Sequence, residues 1–172
     1  FIYRGVKNFG EAGIFVSFGE GRERFYDYMS RLGLDFRRIS RESFDFLELL
    51  PVKARCMENL MELIVGHIEN LGAERIVIDP FTAVISSFRG EGDARIFTHT
   101  LSKLLSHAGC TAIVTVELPT GVGAEGFIAD SLFIMRISRV AGFPVREMEI
   151  VKLRGVKTVR RTIPYTIDGG LK

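Results

Sequence analysis

The sequence predicts an α/β fold with a mainly parallel central sheet and antiparallel strands added at the C-terminal end. Three observations predict it. Short β-branched runs alternate with stretches of helical periodicity through the first two thirds of the chain, and such alternation with short connections implies right-handed crossovers. The runs at 76–78 and 112–116 are apolar throughout, which suits sheet centres covered on both faces. Beyond residue 131 the helical periodicity stops and strand-like segments follow one another.

Taken in order, residues 1–13 read as the tail of a helix entering a Gly-rich turn, and "GIFVSF" (13–18) as a short strand. Phe25, Tyr28, Met29 and Leu32 recur at i, i+3, i+4 and i+7, a helical stripe stopped at Gly33. "FDFLELLPV" (44–52) alternates aromatic and acidic residues and reads as a half-buried strand. Leu60, Met61, Ile64, Ile68 and Leu71 mark a second helix closed by Gly72. "RIVIDP" is the next strand, followed by a loop through "RGEGD" (89–93). A third helix carries Phe97, Leu101, Leu104, Leu105 and Ala108 on one face and closes at Gly109. "CTAIVTVE" (110–117) is a strand, and "LPTGVGAEG" (118–126) a polar, Gly-rich, mobile loop. Segments 131–138, 146–154 and 160–167 complete the strands, with turns near "AGFP" and "GVK".

The 172 residues, 47% hydrophobic and 26% charged, suit a globular domain with its own core. A formal net charge of +2 does not demand nucleic acid as a partner. The C-terminal quarter is nonetheless locally basic: Arg136, Arg139, Arg146, Lys152, Arg154, Lys157, Arg160 and Arg161 are opposed only by Glu147 and Glu149. Cys56 and Cys110 form no metal-spaced cluster, which argues against a zinc site or disulfide framework and for a reducing cytoplasm. His67, His99 and His107 read as surface or packing residues. No apolar run is long enough to span a membrane, and no signal peptide is visible.

Ligands of open α/β sheets collect at the carboxyl ends of the strands. Three strands end there on polar groups: Glu20, Asp79, and Thr115 with Glu117. A carboxylate after an apolar strand, as in "IVIDP", is the Walker B pattern that holds Mg²⁺ in nucleotide hydrolases. The competing reading is an Asp that opens a turn or caps a helix. The partner motif, G-x-x-x-x-G-K-[ST], does not occur; "GEGRERF", "RGEGDAR" and "GVGAEG" lack the Lys-Ser/Thr ending.

From end to end the chain resembles the KaiC-like branch of the RecA-type ATPases. The resemblance rests on "FIYRGVKNFGEAGIFVSFGE" (1–20), "RLGLDF" (31–36), "AERIVIDPFTAV" (73–84) and, most specifically, "IVKLRGVKTVRRTIPYTIDGGL" (150–171). It implies a RecA-like three-layer sandwich, with residues 1–172 as one ATPase domain truncated before or within the Walker A helix. It further implies ATP and Mg²⁺ as cofactors, with Asp79 as the Walker B carboxylate and Thr115 as a polar sensor at a strand end. Lys152 and Arg154 match the Lys-x-Arg that reaches the γ-phosphate on the neighbouring subunit, an arginine finger supplied in trans within a homo-oligomeric, head-to-tail ring, by resemblance a hexamer.

Two departures from the family pattern stand out. Gly19 replaces the first of two adjacent acids, leaving Glu20 to activate water, and Pro80 replaces the Ser that usually follows the Walker B Asp. On this reading the 172 residues alone bind ATP weakly or not at all. A catalytically inactive RecA-fold scaffold and a recombinase-like nucleic-acid-binding protein are the alternatives. Each candidate also has a bland role: Glu20 opening a helix, Thr115 as a hydrogen-bonded strand residue, and Lys152 and Arg154 as solvated charges on one strand face.

Overall fold

The computed structural model describes residues 1–49, 57–117, 126, 128–157 and 161–167. The chain divides into two compact units, Phe1–Ala124 and Glu125–Lys172. In the first, α1 (Ile2–Phe9), β1 (Gly13–Ser17), α2 (Arg22–Arg31), β2 (Phe44–Glu48), α3 (Met57–Leu71), β3 (Arg75–Asp79), a short α4 (Thr82–Ile85), α5 (Glu91–His107) and β4 (Thr111–Val114) follow in sequence. The strands form one parallel sheet in the order β2-β1-β3-β4.

Alternation along the central strands explains the layering. Ile14 and Val16 of β1 and Ile76 and Ile78 of β3 face α3 and α5, where Leu60, Ile64, Phe97 and Leu101 close the larger core. Phe15 and Val77 face the other way and pack with Ile2 of α1, Phe25 of α2, and Phe44 and Phe46 of β2. The 76–78 run is therefore covered on both faces, as expected. The 112–116 run is not. Ala112 and Ile113 are exposed, because β4 pairs only with β3 among the described strands and ends the sheet.

Helix stops lie where the glycines predicted them: Gly33, Gly72 and Gly109 have φ of 76°, 62° and 69°, the left-handed region that favours glycine. Two helical details differ from expectation. In α2 the packed partner of Phe25 is Tyr26 rather than Tyr28. Tyr28 lies on the surface between the guanidinium groups of Arg24 and Arg31, 5.3 and 5.9 Å from its ring centre. The "RGEGD" segment is only partly a loop: Gly90 caps α5, and Glu91 and Asp93 occupy its first turn, where acids suit the helix dipole.

In the second unit β5 (Ser131–Val140), β6 (Phe143–Leu153) and β7 (Arg161–Tyr165) make an antiparallel sheet of their own, in the order β5-β6-β7. A two-residue turn, Ala141 and Gly142, joins β5 to β6 with φ of 51° and 86°, the positive values of a tight hairpin turn. Of the expected mobile loop at 118–126, residues 118–125 lie outside the described residues.

Candidate functional site

The carboxyl edge of the parallel sheet gathers the polar strand ends. Ser17 pairs in register with Glu48 on one side and Asp79 on the other. Phe18 N–H donates to the Asp79 carbonyl at 3.0 Å, and Thr115 N–H to the Ile78 carbonyl at 3.1 Å, so the strand pairing sets where both side chains stand. The Thr115 hydroxyl donates to Oδ1 of Asp79. The next turn is stitched to the same place: Phe81 N–H donates to the Thr115 carbonyl at 2.8 Å, and Glu117 N–H to the Thr82 hydroxyl at 2.8 Å. The Asp79–Pro80 peptide bond is cis.

This geometry bears on the two readings of Asp79 set out above. Among the described residues its carboxylate caps no helix; it accepts a hydrogen bond from the Thr115 hydroxyl, one residue past β4, and is half-buried at the carboxyl edge of the sheet. One oxygen is thereby oriented. A single positioned carboxylate fits Mg²⁺, which keeps waters and is commonly bound by one or two carboxylates plus substrate phosphates. Among the described residues no group of three or more His, Cys, Asp or Glu could hold a metal unaided. Asp79 is a residue that could hold Mg²⁺ together with substrate phosphates.

Glu20 stands on the turn after β1. The buried Ser17 hydroxyl donates to the Glu20 carbonyl at 2.7 Å and accepts the Glu20 N–H at 2.9 Å, clamping that turn. The Glu20 carboxylate lies 3.7 Å from Arg24, one helical turn on. Ser17 and Glu48 escaped sequence reasoning. A signal existed for Ser17, a lone polar residue inside "GIFVSF". Nothing local marked Glu48, whose carboxylate accepts the Arg22 N–H at 3.1 Å at the start of α2.

Lys152 and Arg154 lie in the second unit. Lys152 is on β6, opposite Leu132 beside a β-bulge, with Nζ 3.4 Å from the Gly126 carbonyl. Arg154 falls one residue past β6. Its N–H donates to the Asp130 carbonyl at 2.8 Å, and its guanidinium to Asp130 Oδ1 at 3.0 Å. That ion pair is exposed, and exposed pairs hold their partners by roughly 0–1 kcal/mol.

Two further reactive groups lie in the first unit. His67 Nδ1 sits 2.9 Å from Asp45 on β2, a pairing the sequence did not suggest. Burial pushes the Cys110 thiol up to about 11, with the Glu74 carboxylate adding to the effect.

Residues 1–171 match the family model described as "ATPase: KaiC". The circadian clock oscillator protein KaiC of Synechococcus elongatus is 28% identical over 186 residues, covering 99% of this chain and 36% of that protein. Its counterpart in Parathermosynechococcus lividus is 29% identical over 181 residues, covering 97% and 34%. The chain thus spans about a third of the length of the curated relatives it matches. A crystal structure of a KaiC-like protein from the hyperthermophilic archaeon Pyrococcus horikoshii superposes with a TM-score of 0.86 at 24% identity. The match covers 99% of this chain and 79% of that one and shares the RecA-like fold.

Proposed function

This chain belongs to the KaiC family of ATPases, and from that premise we propose that it serves as a RecA-like ATP-binding and ATP-hydrolysing domain with nucleotide at subunit interfaces. The observation that carries the reading is the Thr115 hydroxyl on the Asp79 carboxylate at the ligand edge of a parallel sheet. Each residue then has a chemical task. Asp79 would hold Mg²⁺, which would supply charge neutralisation to the substrate phosphates. Thr115 keeps one Asp79 oxygen in place. Glu20, on its Ser17-clamped turn, accepts the proton of the attacking water. Lys152 and Arg154 reach the γ-phosphate held by a neighbouring copy in a ring, a hexamer like those of the family, and stabilise the charge that develops there.

One observation favours a second reading. Gly19 occupies the place of an acid, leaving one candidate base, which suits a slow hydrolase or a non-catalytic ring scaffold. Calorimetry with ATP, with and without Mg²⁺, tests the main reading on this domain together with any phosphate-binding segment its gene encodes, and on the Asp79→Asn variant of the same protein. Mg²⁺-dependent affinity that the substitution abolishes supports it. An affinity indifferent to both Mg²⁺ and Asp79 overturns it. Mg²⁺-dependent binding with no turnover selects the scaffold.

A further inference from the structure

The basic residues of the C-terminal quarter are not spread evenly around their sheet. Arg136 stands opposite Glu147, and Glu149 is two residues along the same strand. The Arg136 guanidinium lies 2.8 Å from Glu149 and 3.8 Å from Glu147. Both carboxylates of β6 therefore occupy one face of the sheet, together with Arg136.

The register puts different chemistry on the other face. Phe133, Ile150 and Arg161 form one cross-strand row, and Met135, Met148 and Ile163 the next. Ile137, Arg146 and Tyr165 form the third, and Arg139 follows along β5. This face carries three arginines and two aromatic rings, and none of its described residues is acidic. It is open: Phe133 is 48% and Met135 51% exposed.

We propose that this face is a docking platform for single-stranded nucleic acid, independent of the nucleotide site. Charge complementarity selects the class of partner. Pairing this face with the same face of a second copy sets guanidinium against guanidinium, whereas a polyanion is attracted to it. The apolar and aromatic content selects the form. Phe133 and Tyr165 offer ring faces on which unpaired bases stack, the sequence-tolerant mode of single-strand binding. Met135 and its apolar neighbours shield the stacked bases from water. A duplex keeps its bases stacked on each other and gains little from a flat apolar face.

Fluorescence anisotropy with a labelled oligothymidylate single strand, measured across a salt series, tests the proposal. Three phosphate contacts predict a slope of log K against log salt of about −2, from roughly −0.7 per contact on a single strand. Phe133→Ala and Tyr165→Ala should each weaken binding about tenfold or more, the range of one lost base stack. Arg146→Glu should weaken it and flatten the slope. Circular dichroism checks that each variant keeps its fold, and Arg136→Gln, altering the opposite face, serves as a control that leaves affinity within about twofold. Salt-sensitive binding unaffected by the aromatic variants would reduce the platform to unspecific charge and overturn it. Binding to phosphatidylserine vesicles but not to the oligonucleotide, or no binding at low salt, overturns it as well.

Discussion

Thr115 and Asp79, 36 residues apart, share a hydrogen bond at the carboxyl edge of the parallel sheet. A hydroxyl donated to a carboxylate orients that carboxylate. The contact exists because β3 and β4 pair in parallel with Ile78 opposite Val114, which leaves their next residues side by side.

Thr115→Val keeps the shape of the residue and removes the donor. Mg²⁺-dependent ATP affinity should fall about tenfold, the loss of one charge-assisted hydrogen bond, while Thr115→Ser restores most of it. Calorimetry on the three proteins reads the effect. Equal affinities would show that the hydroxyl orients nothing the nucleotide uses.

Ser17→Ala removes a buried hydroxyl that both donates to and accepts from the Glu20 backbone. The unpaired groups it leaves should lower unfolding free energy by about 1–3 kcal/mol, measured by urea denaturation. A change within error would mean that water takes over both bonds.

Arg154→Ala should cut ATP turnover in the assembled protein while leaving the protomer folded. Its exposed pair with Asp130 contributes little to stability, whereas a finger on the γ-phosphate acts only in the transition state. Unchanged turnover with intact assembly counts against the trans role.

Cys110 should resist alkylation near neutral pH and react as pH approaches 11. Its thiol is raised from 9.0 to about 11 mainly by burial, so the folded protein holds the proton that the unfolded chain has already released between those values. Stability therefore falls as pH rises through that window, since the unfolded state binds fewer protons there. Iodoacetamide labelling followed by mass spectrometry against pH reads the first part. Rapid labelling of Cys110 at pH 8 in the folded protein would contradict it.

Much of the fold was legible because its signals are local. The helical stripe from Leu60 to Ile68, the glycines at 33, 72 and 109, and the apolar run into Asp79 follow from side-chain period and backbone sterics within a few residues. Errors arose where a local pattern fits two outcomes. The run at 112–116 is as apolar as 76–78, yet sheet order makes one an edge and the other a centre. Residues 82–85 show no period because a single helical turn is too short to express one.

The sequence by itself determined the alternation of strands and helices, the stop at each glycine, the carboxylate at the end of β3 and the likeness to a family of ATPases. Only the tertiary structure decided which of those groups meet. It placed Thr115 on Asp79, Ser17 beneath Glu20, and Glu147 and Glu149 against Arg136, so that the described charged residues on the opposite face of the hairpin sheet are all basic. The division has one physical cause. Side-chain period is a property of neighbouring residues along the chain, whereas strand order and register depend on which distant segments bury each other's apolar faces.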